Sequence, residues 1–181
     1  MSSAPDGLGG GEAHALVALG ANLGDRLANL ASAVEALRAL PTTRIVALSG
    51  AYDTAPVGPP DQPRYLNAAV LLATALEPRD LLGRLLAIER DLGRRRSESR
   101  WTAREIDLDL ILHGESTVAD GDLVLPHPRF RERAFVLLPA AEIAGWMRDP
   151  VSGERLESLL RACPGRSDAV RIGPLVESER A

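Results

Sequence analysis

The chain has 181 residues, 45% of them hydrophobic, which is enough for one globular domain with a full core. Its net charge of −4 and pI near 5.4 argue against a general nucleic-acid binder, which carries a basic face across the whole domain. All 21 basic residues are arginine, which removes the P-loop pattern with its lysine, and the single Cys163 can form no internal disulfide, as fits a reducing compartment.

Residues 1–12, with Gly, Ser and Pro but no basic start or apolar segment, are expected to be a disordered leader rather than a signal peptide. No apolar run approaches the ~20 residues of a membrane span, so a cytoplasmic protein with no membrane partner is expected. The domain is expected over residues 13–163. Ala15-Leu16-Val17-Ala18-Leu19 reads as a buried central strand and runs into a strand-to-helix turn, Gly20 to Asp25. Gly20 and Gly24 serve either turn geometry or close approach of a ligand. Leu27, Leu30, Val34 and Leu37 then recur at helical spacing until Pro41.

Arg44 to Tyr52 and Leu66 to Leu76 read as two strands joined by a proline-rich connection, residues 53–64, too long for a tight hairpin and typical of a binding loop. Tyr65 and Asn67 at its exit share a strand face. An aromatic plane beside an amide suits a flat heterocycle; a packed tyrosine and a turn-capping asparagine are the plainer alternative. Glu77-Pro78 opens the next helix, whose stripe is Leu81, Leu82, Leu85 and Ile88. Glu89 falls at its negative end, where a salt bridge to Arg94 or Arg96 would compensate.

Arg94, Arg95, Arg96, Arg100 and Arg104 then precede Ile106-Asp107-Leu108-Asp109-Leu110-Ile111-Leu112. A strand sets Asp107 and Asp109 on one face, about 6–7 Å apart, a span that hard cations bridge through oxygen. Carboxylates for a metal beside forked guanidinium donors for phosphate suit a magnesium polyphosphate. A solvated acidic edge strand and a solvated arginine run are the alternatives. A short strand at Leu123 to Leu125, a helix over residues 136–143 and a last helix over residues 154–162 follow, and residues 164–181 are expected to be a flexible polar tail. Strand, helix, strand, strand, helix, strand is the split βαβ order of an α+β, ferredoxin-like sandwich, an antiparallel sheet with both helices on one face.

Several motifs taken together resemble the 6-hydroxymethyl-7,8-dihydropterin pyrophosphokinases, the folate-pathway enzymes. They are Gly20-Ala21-Asn22-Leu23, Tyr52 through Asn67, Arg100 to Asp109, and Leu125-Pro126-His127 with Arg133 and Phe135. The resemblance covers residues 14–160. It implies transfer of the terminal two phosphates of ATP to the pterin hydroxymethyl group with release of AMP, by a chain that acts as a monomer. It implies that Asp107 and Asp109 bind two Mg2+ ions and that Arg96 and Arg104, in mobile loop positions, join them in catalysis. Glu89, Arg94, Arg96, Arg100, Trp101, Arg104, Leu110, His127 and Arg133 are implied around ATP. Thr54, Ala55, Pro56, Val57 and Asn67 are implied around the pterin, which would stack between Tyr65 and Phe135. Pro128 stands where relatives often carry an aromatic residue. A ferredoxin-like regulatory module and an RNA-binding domain are the competing readings. The first has no need of paired strand aspartates beside arginines, and the second would carry aromatics on its central strands.

Overall fold

A computed structural model describes residues 10–56, 62–93, 105–164 and 168–175. The apolar run near the N-terminus becomes β1 (Ala13–Ala21), buried from Ala15 onward. Its central position follows from having no polar side to expose. Gly24, at φ +60°, makes the turn, and the Asp25 carboxylate caps α1 (Arg26–Arg38) by accepting the Ala28 N–H at 3.0 Å. Leu30, Ala33, Val34 and Leu37 are the buried stripe of α1. Leu27, expected in that stripe, lies in the first turn on the solvent side and is 43% exposed.

The expected strand from Arg44 to Tyr52 is two strands, β2 (Thr43–Leu48) and β3 (Gly50–Thr54), both antiparallel to β4 (Tyr65–Thr74). Ser49 interrupts them by substituting its side chain for backbone. Its N–H donates to the Ala69 carbonyl at 3.0 Å, while its hydroxyl accepts the Ala69 N–H at 2.8 Å and donates to the Gly50 carbonyl at 2.8 Å. The helix α2 (Pro78–Asp91) leads on to β5 (Asp107–His113). A small hairpin of β6 (Val118–Asp120) and β7 (Leu123–Leu125) is tied to α2 by Arg79, which reaches Asp120 and Asp122; β6 carries no strand signal in sequence. After a 3-10 turn at Phe130–Glu132 come α3 (Ala134–Ala144), α4 (Leu156–Ala162) and β8 (Val170–Pro174).

The main sheet runs β5-β1-β4-β3-β8, with β2 also paired to β4. Its first four positions are the ferredoxin-like arrangement expected, with α1 and α2 packed on one face over Val17, Leu19, Val70, Leu72, Leu108 and Leu110. The opposite face is covered too: α3 and α4 pack on Leu16, Ala69, Leu71 and Ile111 with Phe130, Leu137 and Leu156. The molecule is therefore three layers deep, and the helices expected after residue 135 supply the third.

Part of the expected frayed end is the edge strand β8. It is held by the Arg171–Glu142 pair at 2.9 Å and by Leu175, which is 4% exposed in the α1/α2 core. Glu142 also accepts the Gly50 N–H at 3.1 Å and the Tyr52 hydroxyl at 2.9 Å. The guanidinium of Arg171 lies where a side chain on Gly50 would be, so a hydrogen at that position admits it. Polar composition concealed this strand because its stability comes from partners far away in sequence.

Asp149, 0% exposed, knots the end of α3 to the 3-10 turn. Arg131 binds it through two bonds of 2.7 Å, and Ser152 and the Val151 N–H add more. Burial alone would raise this carboxyl's pKa, but these donors, Arg131 first, hold it down to about 2. Since the ordinary aspartate value is 3.8, the stabilisation is complete above that pH and is lost as pH falls through about 2. In urea unfolding from pH 6 to pH 2, Asp149→Asn is expected to be less stable by roughly 2 kcal/mol at pH 6 and to lose less on acidification. Parallel stability curves for the two proteins would contradict this.

Candidate functional site

Three strands bring polar side chains to one end of the sheet, on the α3 side. In register, Gly20 of β1 lies between Asn67 of β4 and Asp107 of β5, and Ala18 lies between Ala69 and Asp109. The i, i+2 rule then puts Tyr65 with Asn67, and Asp107 with Asp109, on the face that α3 leaves open. Above them is a cavity of about 480 Å³, lined at one end by Thr54, Ala55, Pro56, Tyr65 and Asn67, from the end of β3 and the start of β4, and also by Phe135 of α3. Asp107, Asp109, His127 and Arg133 line the other. Val57, Arg94, Arg96, Arg100, Trp101 and Arg104 lie outside the described residues.

At the first end, Asn67 is 5% exposed and its amide donates to Thr54 Oγ1 at 2.7 Å. That bond turns Oδ1 toward Gly20, where a Cβ would stand 3.2 Å from it and 4.0 Å from the Tyr65 ring. The acceptor therefore faces open space that exists because residue 20 has no side chain. Of the two sequence readings of Gly20, close approach is the one its position in a strand favours; the turn belongs to Gly24.

At the second end, Asp109 Oδ2 lies 3.7 Å from Arg133 Nη1 and 4.0 Å from His127 Nε2. The histidine follows the cis Leu125–Pro126 bond and is anchored by its own N–H on the Ile111 carbonyl at 3.0 Å. Burial, then the Arg133 charge, push its imidazole down to about 4, so it is neutral at pH 7 and makes no ion pair with Asp109. Nδ1 accepts the Arg129 N–H at 3.3 Å, which assigns the ring proton to Nε2, the nitrogen nearer Asp109. Arg133 precedes the first turn of α3 and lies over the Phe135 ring at 5.7 Å, so the positive end of that helix opens on the same space.

Two expected residues sit elsewhere. Leu110 is 5% exposed in the α1/α2 core, because alternation along β5 turns it away from the cavity. Glu89 is 1% exposed behind β5, where Oε1 accepts the Leu108 N–H at 2.7 Å. It holds the backbone between the two aspartates, a tertiary role that the charge spacing toward Arg94 and Arg96 did not reveal. Arg129, Glu132, Asp168 and Ala169 also line the cavity. The charge density of Arg129-Phe130-Arg131-Glu132, beside His127 and Arg133, is the signal that could have found the first pair, whereas nothing in the polar end of the chain marked Asp168. Among the described residues no cluster of three or more His, Cys, Asp or Glu side chains could hold a metal by itself, and no helix is long and apolar enough to cross a membrane.

Residues 16–145 match the family model described as 7,8-dihydro-6-hydroxymethylpterin-pyrophosphokinase (HPPK). Two relatives named 2-amino-4-hydroxy-6-hydroxymethyldihydropteridine pyrophosphokinase are similar along most of their length. That of Pseudomonas aeruginosa is 45% identical over 148 residues, 82% of this chain and 90% of the relative. That of Methylorubrum extorquens is 52% identical over 131 residues, 72% and 82% of the two. The wild-type HPPK-DHPS of Plasmodium falciparum shares the fold at TM-score 0.65 and 12% identity, over 83% of this chain and 44% of that longer one.

The Glu89 bond generates a stability test. Glu89→Ala leaves the Leu108 N–H without that acceptor and should cost about 1–3 kcal/mol in urea unfolding, whereas Glu89→Gln, which keeps a carbonyl oxygen, should recover most of the loss. Equal losses in both variants would show that the charge, and not the acceptor, is what matters.

Proposed function

The chain belongs to the 7,8-dihydro-6-hydroxymethylpterin-pyrophosphokinase family, and on that premise we propose that the cavity on the α3 side holds both substrates, heterocycle at the Asn67 end and phosphates at the aspartate end. The protein is an ATP-dependent diphosphokinase of folate biosynthesis, moving the pyrophosphoryl group of ATP to the hydroxymethyl group of 6-hydroxymethyl-7,8-dihydropterin. The regulatory-module and RNA-binding readings give way to it. The observation that carries the site assignment is the row Asn67, Gly20, Asp107 across three paired strands. Two strand spacings separate its ends by roughly 10 Å, so a flat bicyclic ring at Asn67 reaches the aspartates with its substituent.

In this reading the pterin lies between the Tyr65 and Phe135 rings, above Gly20. Asn67 Oδ1 takes a hydrogen bond from the ring's N–H edge, and the backbone of Thr54 to Val57 reads the rest. The hydroxymethyl oxygen faces the phosphates in line. Arg133, the N-terminus of α3 and the neutral His127 Nε2–H stabilise charge on the phosphate oxygens, with Arg94, Arg96, Arg100, Arg104 and Trp101 completing the nucleotide side. Phosphoryl transfer asks the protein for positioning and charge neutralisation rather than covalent help, and these groups offer both.

Asp107 and Asp109 are the residues that would hold magnesium. Two half-buried carboxylates on one strand face, short of a full protein cage, fit a hard cation that takes its remaining oxygens from phosphate and water. Such ions, two in this reading, would neutralise charge on the transferring phosphates. We assign the chain to the cytoplasm as a monomer.

With ATP, magnesium and the pterin, the expected products are AMP and the pterin diphosphate; ADP as the nucleotide product would refute the proposal. Asp107→Asn or Asp109→Asn should lower turnover at least about a hundredfold, roughly 2.7 kcal/mol, while the fold is kept. Near-wild-type turnover in both variants would remove the aspartates from the mechanism.

The heterocycle end has its own test. Tyr65→Ala or Phe135→Ala should forfeit on the order of 1–3 kcal/mol of pterin binding, by analogy with bases stacked on aromatic rings. Gly20→Ala, which puts a methyl into the space before Asn67 Oδ1, should weaken the pterin likewise while leaving ATP affinity unchanged. Titration calorimetry with each substrate separates these outcomes, and unchanged pterin affinity in all three variants would relocate the pocket.

A further inference from the structure

The heterocycle end of the cavity depends on a connection whose two ends are gripped from far along the chain. Asp168 lies 113 residues after Ala55, and its Oδ2 accepts the Ala55 N–H at 2.8 Å. Its own carbonyl accepts Arg64 Nη2 at 3.1 Å. Arg64 is in turn bound to the Asp53 carboxylate and, through Nη2, to the Asp53 carbonyl at 3.3 Å. Arg26 completes the knot from α1, with one nitrogen 3.0 Å from Asp53 Oδ2 and 2.9 Å from the Arg64 carbonyl. Asp168 thus touches Ala55, near the connection's entry, and Arg64, its last residue, with two separate groups.

We propose that Asp168 is a positioning residue for the pterin, which sets Thr54, Ala55 and Pro56 at the correct height over the Tyr65 ring by holding Ala55 and Arg64 together. The inference rests on the reading of this cavity as the substrate site, and it adds a residue from beyond the family match at residues 16–145. Three features argue for a role in binding rather than in stability. Asp168 is exposed, so its bonds contribute little to folding. It lines the cavity together with Ala169. It is also carried to that place by β8, where Val170 pairs with Asp53 and Arg171 with Tyr52, so a strand pairing delivers it beside the end of β3 that leads into Ala55. Without this carboxylate the Ala55 N–H would turn to water, and the wall over the heterocycle would sample orientations that do not fit it.

The test compares Asp168→Ala and Asp168→Asn with the wild type in steady-state AMP formation and in thermal unfolding without ligands. Asp168→Ala should raise the KM for 6-hydroxymethyl-7,8-dihydropterin about fivefold, the value of one hydrogen bond of ordinary net strength, with kcat and the KM for ATP within about twofold of wild type. The unfolding midpoint should stay within about 2 °C, the scale of a surface substitution. Asp168→Asn keeps a carbonyl acceptor for Ala55 and should restore most of the pterin KM. A wild-type pterin KM in Asp168→Ala, a parallel rise in both KM values, or an Asn variant as impaired as Ala would overturn the inference while the reaction stands. A wild type that forms no AMP would bring down the cavity reading with it.

Discussion

The register of β1 between β4 and β5 is the constraint on which everything at the cavity depends. Side chains alternate along each strand, so a slip of one residue in either pairing would turn Asn67 or Asp107 into the α1/α2 core and bring Leu66 or Leu108 to the opening. The penalty for that exchange is what holds the register. Leu19, Leu66, Leu108 and Leu110 on one face leave no room for a carboxylate or an amide. The hydrophobic face thereby sets the position of the polar one, and Gly20, in the middle of the row, keeps the space between them clear.

Carboxylates hold the rest of the frame, and they do so mainly by accepting backbone and guanidinium N–H groups. Glu89 fixes edge strand β5 through Leu108, Glu142 joins α3 to β3 and β8, and Asp149 joins the end of α3 to the 3-10 turn. Each is partly or wholly withdrawn from water, where such bonds are worth more than exposed ion pairs. The Arg79 pairs with Asp120 and Asp122, all exposed, are of the weaker kind. A chain with 25 acidic residues and no lysine thus uses its negative charge inside the structure as well as on its surface.

What could be read in the sequence was what repeats at short range. Period two placed Tyr65 with Asn67 and Asp107 with Asp109, and helical spacing gave the buried Leu81, Leu85 and Ile88 of α2. The order of elements led to the sheet. What stayed hidden depends on contacts between distant residues. Ser49 breaks a strand by imitating backbone with its hydroxyl, Glu89 has its partner 19 residues away, and β8 consists of exposed side chains that only pairing with β3 orders. Leu110 was misplaced for a simpler reason: it followed the aspartates in a motif, but its parity sends it to the other face.

The cavity takes one wall from β1 and another from the approach to β8, elements near opposite ends of the chain, and the two are not equally durable. β1 is paired on both sides and buried; β8 is paired with β3 alone, with Val170 58% and Ile172 54% exposed. Apart from Leu175, detaching β8 uncovers little apolar surface, so it costs a few hydrogen bonds and the Arg171–Glu142 pair. Openings of that kind lie at the low end of the local unfolding scale. Amide exchange along residues 170–173 is therefore expected to proceed without global unfolding, and the heterocycle wall to loosen on heating while the sheet and its aspartates are still intact.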